Sequence, residues 1–332
     1  MALFRKLGTL NVLKVTSRPL SSATPDVRIY EVGPRDGLQN EAKFVPTDIK
    51  VELIHKLADA GIKHIESASF VSPKWVKQMS DGVDVMKNLK RAPGVNYPVL
   101  IPNLKGYETA KKCNIEEIAI FPAGSEGFSQ KNLNCSVEEG LRRFKEVAEA
   151  AVKDGIRVRG YVSCVVGCPY DGPIKPKVIA KITEELFAMG CYEVSLGDTI
   201  GVGTAGSVRA LLRELRPAAG ALALHLHDTY GQALASLLAG LEFGINTIDS
   251  SISGLGGCPY ARGASGNLAT EDLVYFLYGL GVNTNIDIIK LLEAGRYISS
   301  FLGKMTESKV NRALGDRFKN HEDVIKIATC NV

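Results

Sequence analysis

From Val27 onward, short β-branched apolar runs alternate with longer stretches in which apolar residues recur every three to four positions. Eight runs read as strands: VRIYEVG (27–33), KHIESASF (63–70), NYPVLIPN (96–103), EEIAIF (116–121), RVRGYVSC (157–164), YEVSLGD (192–198), ALALHLHD (221–228) and TIDSSIS (247–253). The segments between them, such as 47–61 and 137–155, are amphipathic and end in Gly, the residue that best accepts the left-handed turn closing a helix. Strand–helix alternation repeated eight times predicts an α/β fold, a single (β/α)8 TIM barrel over residues 26–302. Beyond 280 the pattern becomes helical (IDIIKLLEAGRYISSFLG) and then polar and basic, so 303–332 reads as a helical or flexible C-terminal tail, not a second domain.

Composition refines this picture in three places. The chain has 332 residues, 45% of them hydrophobic, which suffices for a large core, yet no run approaches the roughly 18 apolar residues of a membrane span. The net charge of +4 is local: residues 1–25 hold Arg5, Lys6, Lys14 and Arg18 and no acid, leaving 36 basic against 36 acidic residues elsewhere. The remainder therefore has no nucleic-acid footprint. A basic, acid-free, Ser/Thr-containing leader reads as a mitochondrial transit peptide, with a disordered cytosolic arm as the alternative. Seven scattered cysteines point to a reducing compartment such as the matrix; Cys164 and Cys168 lack a second pair at zinc-site spacing and read as ordinary strand-end residues.

In such a fold the working face lies at the carboxyl ends of the strands. There the sequence places Arg35 and Asp36 after strand 1, Glu66 on strand 2, Asn103, Asp198, the pair His225 and His227 on strand 7, and Cys258 and Asn267 after strand 8. Side chains alternate along a strand, so both imidazoles share a face while Leu226 points to the helical layer. The pair suits one cation; two core histidines satisfied by hydrogen bonds are the alternative reading. Asp36, in GPRDG, adds a carboxylate, and Asn267, in GASGNLATED, adds an amide oxygen, although an Asx turn and a helix cap would explain each alone. Two nitrogens and two oxygens favour a divalent cation of the Mg²⁺ or Mn²⁺ kind with two positions open to substrate. Arg35 is a permanent cation suited to an enolate or thioester oxygen, or else to a surface ion pair. Cys258 lies in the glycine-rich run 254–267, either as a lid thiol or as a small buried residue. The run Gly201–Val202–Gly203–Thr204–Ala205–Gly206, with Asp228 downstream, fits a dinucleotide fingerprint but sits late in the alternation and is set aside.

Seven segments in order, VGPRDGLQNE (32–41), SFVSPKWVKQM (69–79), YPVLIPNLKG (97–106), GYVSCVVGCPY (160–170), CYEVSLGDTIGVGT (191–204), HLHDTYGQALA (225–235) and GLGGCPYARGASGNLATEDLVY (254–275), resemble the 3-hydroxy-3-methylglutaryl-CoA lyases and the wider barrel metallolyase superfamily. The resemblance, from about residue 27 to 310, implies cation-dependent retro-Claisen cleavage of an acyl-CoA substrate to acetyl-CoA and acetoacetate, as in leucine breakdown and ketone-body formation. It implies Asp36, His225, His227 and Asn267 as metal ligands, Arg35 on the enolate, Asp198 in proton transfer, Cys258 in protonating the product, Glu66 as a supporting carboxylate, and Lys131 with Asn132 at coenzyme A. It also implies a homodimer in the mitochondrial matrix and a counterpart in Cys330 to the family's C-terminal redox thiol. Leu226 stands where some members carry cysteine, and the terminal Cys330–Asn331–Val332 is not the peroxisomal address some members end in. A condensing synthase of the same superfamily and a non-catalytic barrel acting as a binding partner are the competing readings. The synthases usually carry a further regulatory domain that this chain lacks, and the complete ligand set disfavours the second.

Overall fold

A computed structural model describes residues 27–215, 221–257, 266–315, 317 and 320–329. The predicted transit peptide (1–25), Cys258 and Cys330 lie outside the described residues. The strands are β1 (Arg28–Glu31), β2 (His64–Ile65), β3 (Ala68–Ser69), β4 (Val99–Leu100), β5 (Glu117–Ile120), β6 (Arg157–Val162), a small antiparallel pair β7 (Gly167–Cys168) and β8 (Gly172–Pro173), then β9 (Glu193–Asp198), β10 (Leu222–Leu226) and β11 (Thr247–Ser250). Among the described residues, all but β7 and β8 form one parallel sheet in the order β2-β1-β11-β10-β9-β6-β5-β4-β3.

This corrects the expectation of a closed eight-stranded (β/α)8 TIM barrel: the sheet is a curled, nine-stranded one with β2 and β3 as its ends. The run KHIESASF, read as one strand, is two. β2 pairs with β1 and β3 with β4. Between them, the Glu66 amide donates to the Glu31 carbonyl while the Ser67 amide donates to the Pro98 carbonyl. Ser67 Oγ turns back on the Ile65 carbonyl at 2.8 Å. The backbone thus changes partner at Glu66–Ser67, and hydropathy does not register a change of hydrogen-bond partner.

Helices follow the strands and cover the outside. In Val137–Lys153 the buried Leu141, Phe144, Val147, Ala148 and Ala151 recur at helical spacing, and Ser136 Oγ accepts the Glu139 amide at 3.2 Å as the N-cap. Asn103 caps Leu104–Lys111 in the same way, which explains its place at a strand end. β9 and β10 are buried on both faces. Their outward residues Val194, Leu196, Leu224 and Leu226 belong to the apolar core under the helices. The inward ones, Glu193, Ser195 and His225, are polar and buried. Burying polar groups is costly unless each finds a partner, so the interior of the curl is where hydrogen bonding must be complete. The C-terminal helices Ile288–Leu302, Lys309–Leu314 and His321–Thr329 add Leu291, Leu314 and Val324 to the same core. Among the described residues no helix is long and apolar enough to cross a membrane.

Candidate metal centre

β1 ends in a single π-helical turn, Gly33–Gly37, that carries Arg35 and Asp36. The turn is tight enough that glycine is required at both ends: a Cβ on Gly33 would lie 2.5 Å from Glu31 Oε1, and one on Gly37 2.6 Å from Ser251 Oγ. Across the interior, β10 supplies His225, with His227 one residue past its end. Ligand atoms of Asp36, His225 and His227 all lie within 4.8 Å of one another, with His225 Nε2 3.7 Å from Asp36 Oδ2. Asn267 is bridged through its backbone to His227, and its Nδ2 donates to Asp36 Oδ2 at 2.9 Å and to the Leu255 carbonyl at 3.1 Å. The four residues named from the sequence therefore converge from three distant parts of the chain.

Arg35 binds the group together. It is 5% exposed, and its Nε and Nη2 reach Glu66 Oε2 at 2.9 and 2.7 Å while Nη1 reaches Asp36 Oδ1 at 2.8 Å. Burial works against ionisation of Asp36, but Arg35 and the two imidazoles outweigh it and hold the carboxyl at about 2, so Asp36 is an anion throughout the physiological range. Burial pushes Glu66 up, and the Arg35 guanidinium opposes that. Glu66 Oε1 is buried without a hydrogen-bond partner among the described residues. Burial raises Asp198 to about 6 against the backbone amides that lower it, among them that of Gly203 at 2.8 Å; its Oδ1 likewise has no partner among the described residues. Burial lowers His227 to about 4, leaving it neutral and able to offer a lone pair. One anion and two imidazoles within ligating reach of each other suit a divalent cation.

The other predicted residues divide. Lys131 and Asn132 are exposed on the helix Glu126–Leu133 and make no hydrogen bond or ion pair with this cluster. The glycine run 201–206 serves Asp198: a Cβ on Gly203 would lie 2.6 Å from Asp198 Oδ2, and Thr204 caps the helix Ala205–Glu214. Asp228 accepts the Ala233 amide at 3.1 Å and pairs with Lys309. Cys164 and Cys168 pack with Ala123 and Phe128 in a small apolar cluster. Sequence reasoning missed Glu31, Arg159, Tyr161 and Asp249, all buried beneath the site. For Glu31, Arg159 and Asp249 the signal was present as charged residues within apolar strands.

A model of the HMGL-like family matches residues 26–298. The mitochondrial hydroxymethylglutaryl-CoA lyase of Bos taurus is 54% identical over 313 residues, which is 93% of this chain and 96% of that protein. Relatives named as cytoplasmic match at similar identity, 53% to 56%. The crystal structure of the hydroxymethylglutaryl-CoA lyase from Pseudomonas aeruginosa superposes with a TM-score of 0.86 at 51% identity, covering 89% of this chain and 99% of that one. An HMG-CoA lyase from Acinetobacter baumannii, solved with coenzyme A and 3-methylmalate, gives 0.83 at 35% identity over 86% and 94% of the two chains.

Proposed function

The chain belongs to the HMGL-like family, and from that premise we propose that it cleaves 3-hydroxy-3-methylglutaryl-CoA to acetyl-CoA and acetoacetate by retro-Claisen chemistry. The observation that carries this reading is the meeting of Asp36, His225 and His227 within ligating distance, with Arg35 beside them. A divalent cation, Mg²⁺ or Mn²⁺, held by these three with Asn267, supplies Lewis acidity toward the substrate's oxygens.

The chain's own groups account for the rest. Cleavage needs a proton taken from the tertiary hydroxyl, so that its oxygen becomes the new ketone as the adjacent carbon–carbon bond breaks. The electron pair of that bond passes to the thioester as an enolate, which a proton on carbon converts to acetyl-CoA. Asp198, with an ionisation near 6 and one free oxygen, is suited to accept the hydroxyl proton at neutral pH. Arg35, fixed by Glu66 and Asp36, is suited to balance the charge growing on the enolate oxygen without having to move. Glu66 holds that guanidinium in place, and Cys258 is assigned the return of the proton to carbon. Lys131 and Asn132 are assigned to coenzyme A.

The catalytic unit is assigned to residues 26–302, with 303–332 as a tail, and the protein to a homodimer without nucleic-acid partners. It is placed in the mitochondrial matrix, in line with its mitochondrial relatives and its acid-free basic leader. The test is direct: incubation with 3-hydroxy-3-methylglutaryl-CoA and Mg²⁺ should release acetoacetate and acetyl-CoA, and excess chelator should abolish both. Absence of acetoacetate in both tubes would sink the assignment.

A further inference from the structure

Behind the imidazole pair lies a set of buried charges that the reaction does not use directly. Arg159, on β6, is fully buried and donates a fork of hydrogen bonds to Asp249 on β11, Nη2 to Oδ1 at 2.7 Å and Nη1 to Oδ2 at 3.2 Å. Its Nε is held by Glu193 at 2.8 Å, and its guanidinium stacks 4.0 Å from the Tyr30 ring. Asp249, 1% exposed, receives Ser195 Oγ at 2.6 Å and faces His225 Nδ1 at 3.2 Å. The register places His225 directly opposite Asp249 in the β10–β11 ladder. Tyr161 meets the His225 ring edge-on, at 5.9 Å between centroids.

A carboxylate engaged by a guanidinium and a hydroxyl acts only as an acceptor, so the hydrogen of the imidazole belongs on Nδ1 and the lone pair on Nε2, toward Asp36. His227 reaches the same state by another route, since its Nδ1 faces the carbonyl of Asp198 at 3.1 Å, and a carbonyl also only accepts. Both rings thus turn Nε2 to the cluster. For His227 the backbone ensures this; for His225 it depends on side chains alone. We propose that Asp249, clamped by Arg159, is the positioning residue that sets the tautomer and orientation of His225 for cation binding. Outer partners of this kind typically change metal affinity by about 10–100-fold.

This inference rests on the cation site proposed above, and the experiment separates the two. Mn²⁺ is titrated into the metal-free protein and the free ion is followed by electron paramagnetic resonance, for the wild type and for Asp249→Asn. The amide must point a donor at either the guanidinium or the imidazole, so Asn should weaken Mn²⁺ binding by about 10–100-fold, while a thermal melt of the metal-free variant stays cooperative. In case the variant does not fold, a second measurement uses the wild type loaded with Mg²⁺. With five histidines in the chain, a ¹⁵N-histidine spectrum is sparse, and loss of one signal set in His225→Gln assigns the ring. The proposal expects a protonated Nδ1 and a bare Nε2. Wild-type Mn²⁺ affinity in folded Asp249→Asn, or a proton on Nε2 of His225, would overturn it. Failure of the wild type to bind Mn²⁺ at all would overturn both it and the cation site.

Discussion

Glu31 offers a sharp test of how the turn bearing Arg35 and Asp36 is held. Its carboxyl is fully buried; Oε1 accepts the amides of Gly33 and Ile252, each at 2.8 Å, and Oε2 accepts Thr270 Oγ at 2.6 Å. One side chain therefore ties the start of the turn to the segment after β11 and to the helix that follows Asn267. Burial, partly offset by those hydrogen bonds, raises its ionisation from 4.5 to about 7. Below about pH 4.5 the folded and unfolded chains both carry the proton, between 4.5 and 7 only the folded chain does, and above 7 neither does. The unfolded chain thus binds fewer protons in that window, and stability falls as pH rises through it. At about 1.36 kcal/mol per pH unit, the two units from pH 5 to 7 amount to about 2.7 kcal/mol. Glu31→Gln removes the titration and keeps the shape. Its carbonyl can still accept both amides, and its NH₂ can donate to Thr270 Oγ, whose own hydrogen can turn to Ser250 Oγ 2.9 Å away. Urea melts of both proteins at pH 5 and 8 read the effect, with EDTA present so that pH-dependent cation binding adds nothing. The variant should gain about 2.7 kcal/mol relative to wild type between the two pH values. A stability difference that is the same at both would refute burial as the controlling term.

Two substitutions test the assigned chemistry. Arg35→Lys keeps the charge but loses the fork that spans Glu66 and Asp36, so kcat should fall on the order of 10²–10³-fold with KM changing only a few-fold; steady-state kinetics showing an unchanged kcat would remove Arg35 from the reaction. Asp198→Asn keeps an acceptor for the Gly203 amide but loses the base, and kcat should fall by about 10²–10⁴-fold. A loss smaller than tenfold, with Mn²⁺ affinity unchanged, would assign proton transfer to another group.

The parts of this molecule that were legible in the sequence are those set by side-chain periodicity. The βα rhythm, the strand positions and the shared face of His225 and His227 all follow from alternation of period two or 3.6, which hydropathy records. Closure of the sheet did not follow from it. At Glu66–Ser67 the residues keep their strand-like pattern while the backbone exchanges β1 for β4, and only hydrogen-bond partners mark that exchange. The glycine run 201–206 was ambiguous for a related reason: glycine records that something approaches the backbone, here the carboxylate of Asp198, without saying what. Lys131 and Asn132 had no local signature at all and came only from resemblance.

The most informative residues were the ones that broke the apolar pattern. Arg159, Glu193 and Asp249 each interrupt a largely apolar strand, and each is fully or almost fully buried. An isolated charge there would destabilise the fold by several kcal/mol. A chain that retains three of them must therefore pair them, and pairing across β6, β9 and β11 requires those strands to face a common interior. The pairs observed, Arg159 with Glu193 and Asp249, and Asp249 with His225, lead from that interior to the cluster at its rim. Charges out of pattern on successive strands thus carried information about both the curl of the sheet and the location of the site, before any ligand residue was considered.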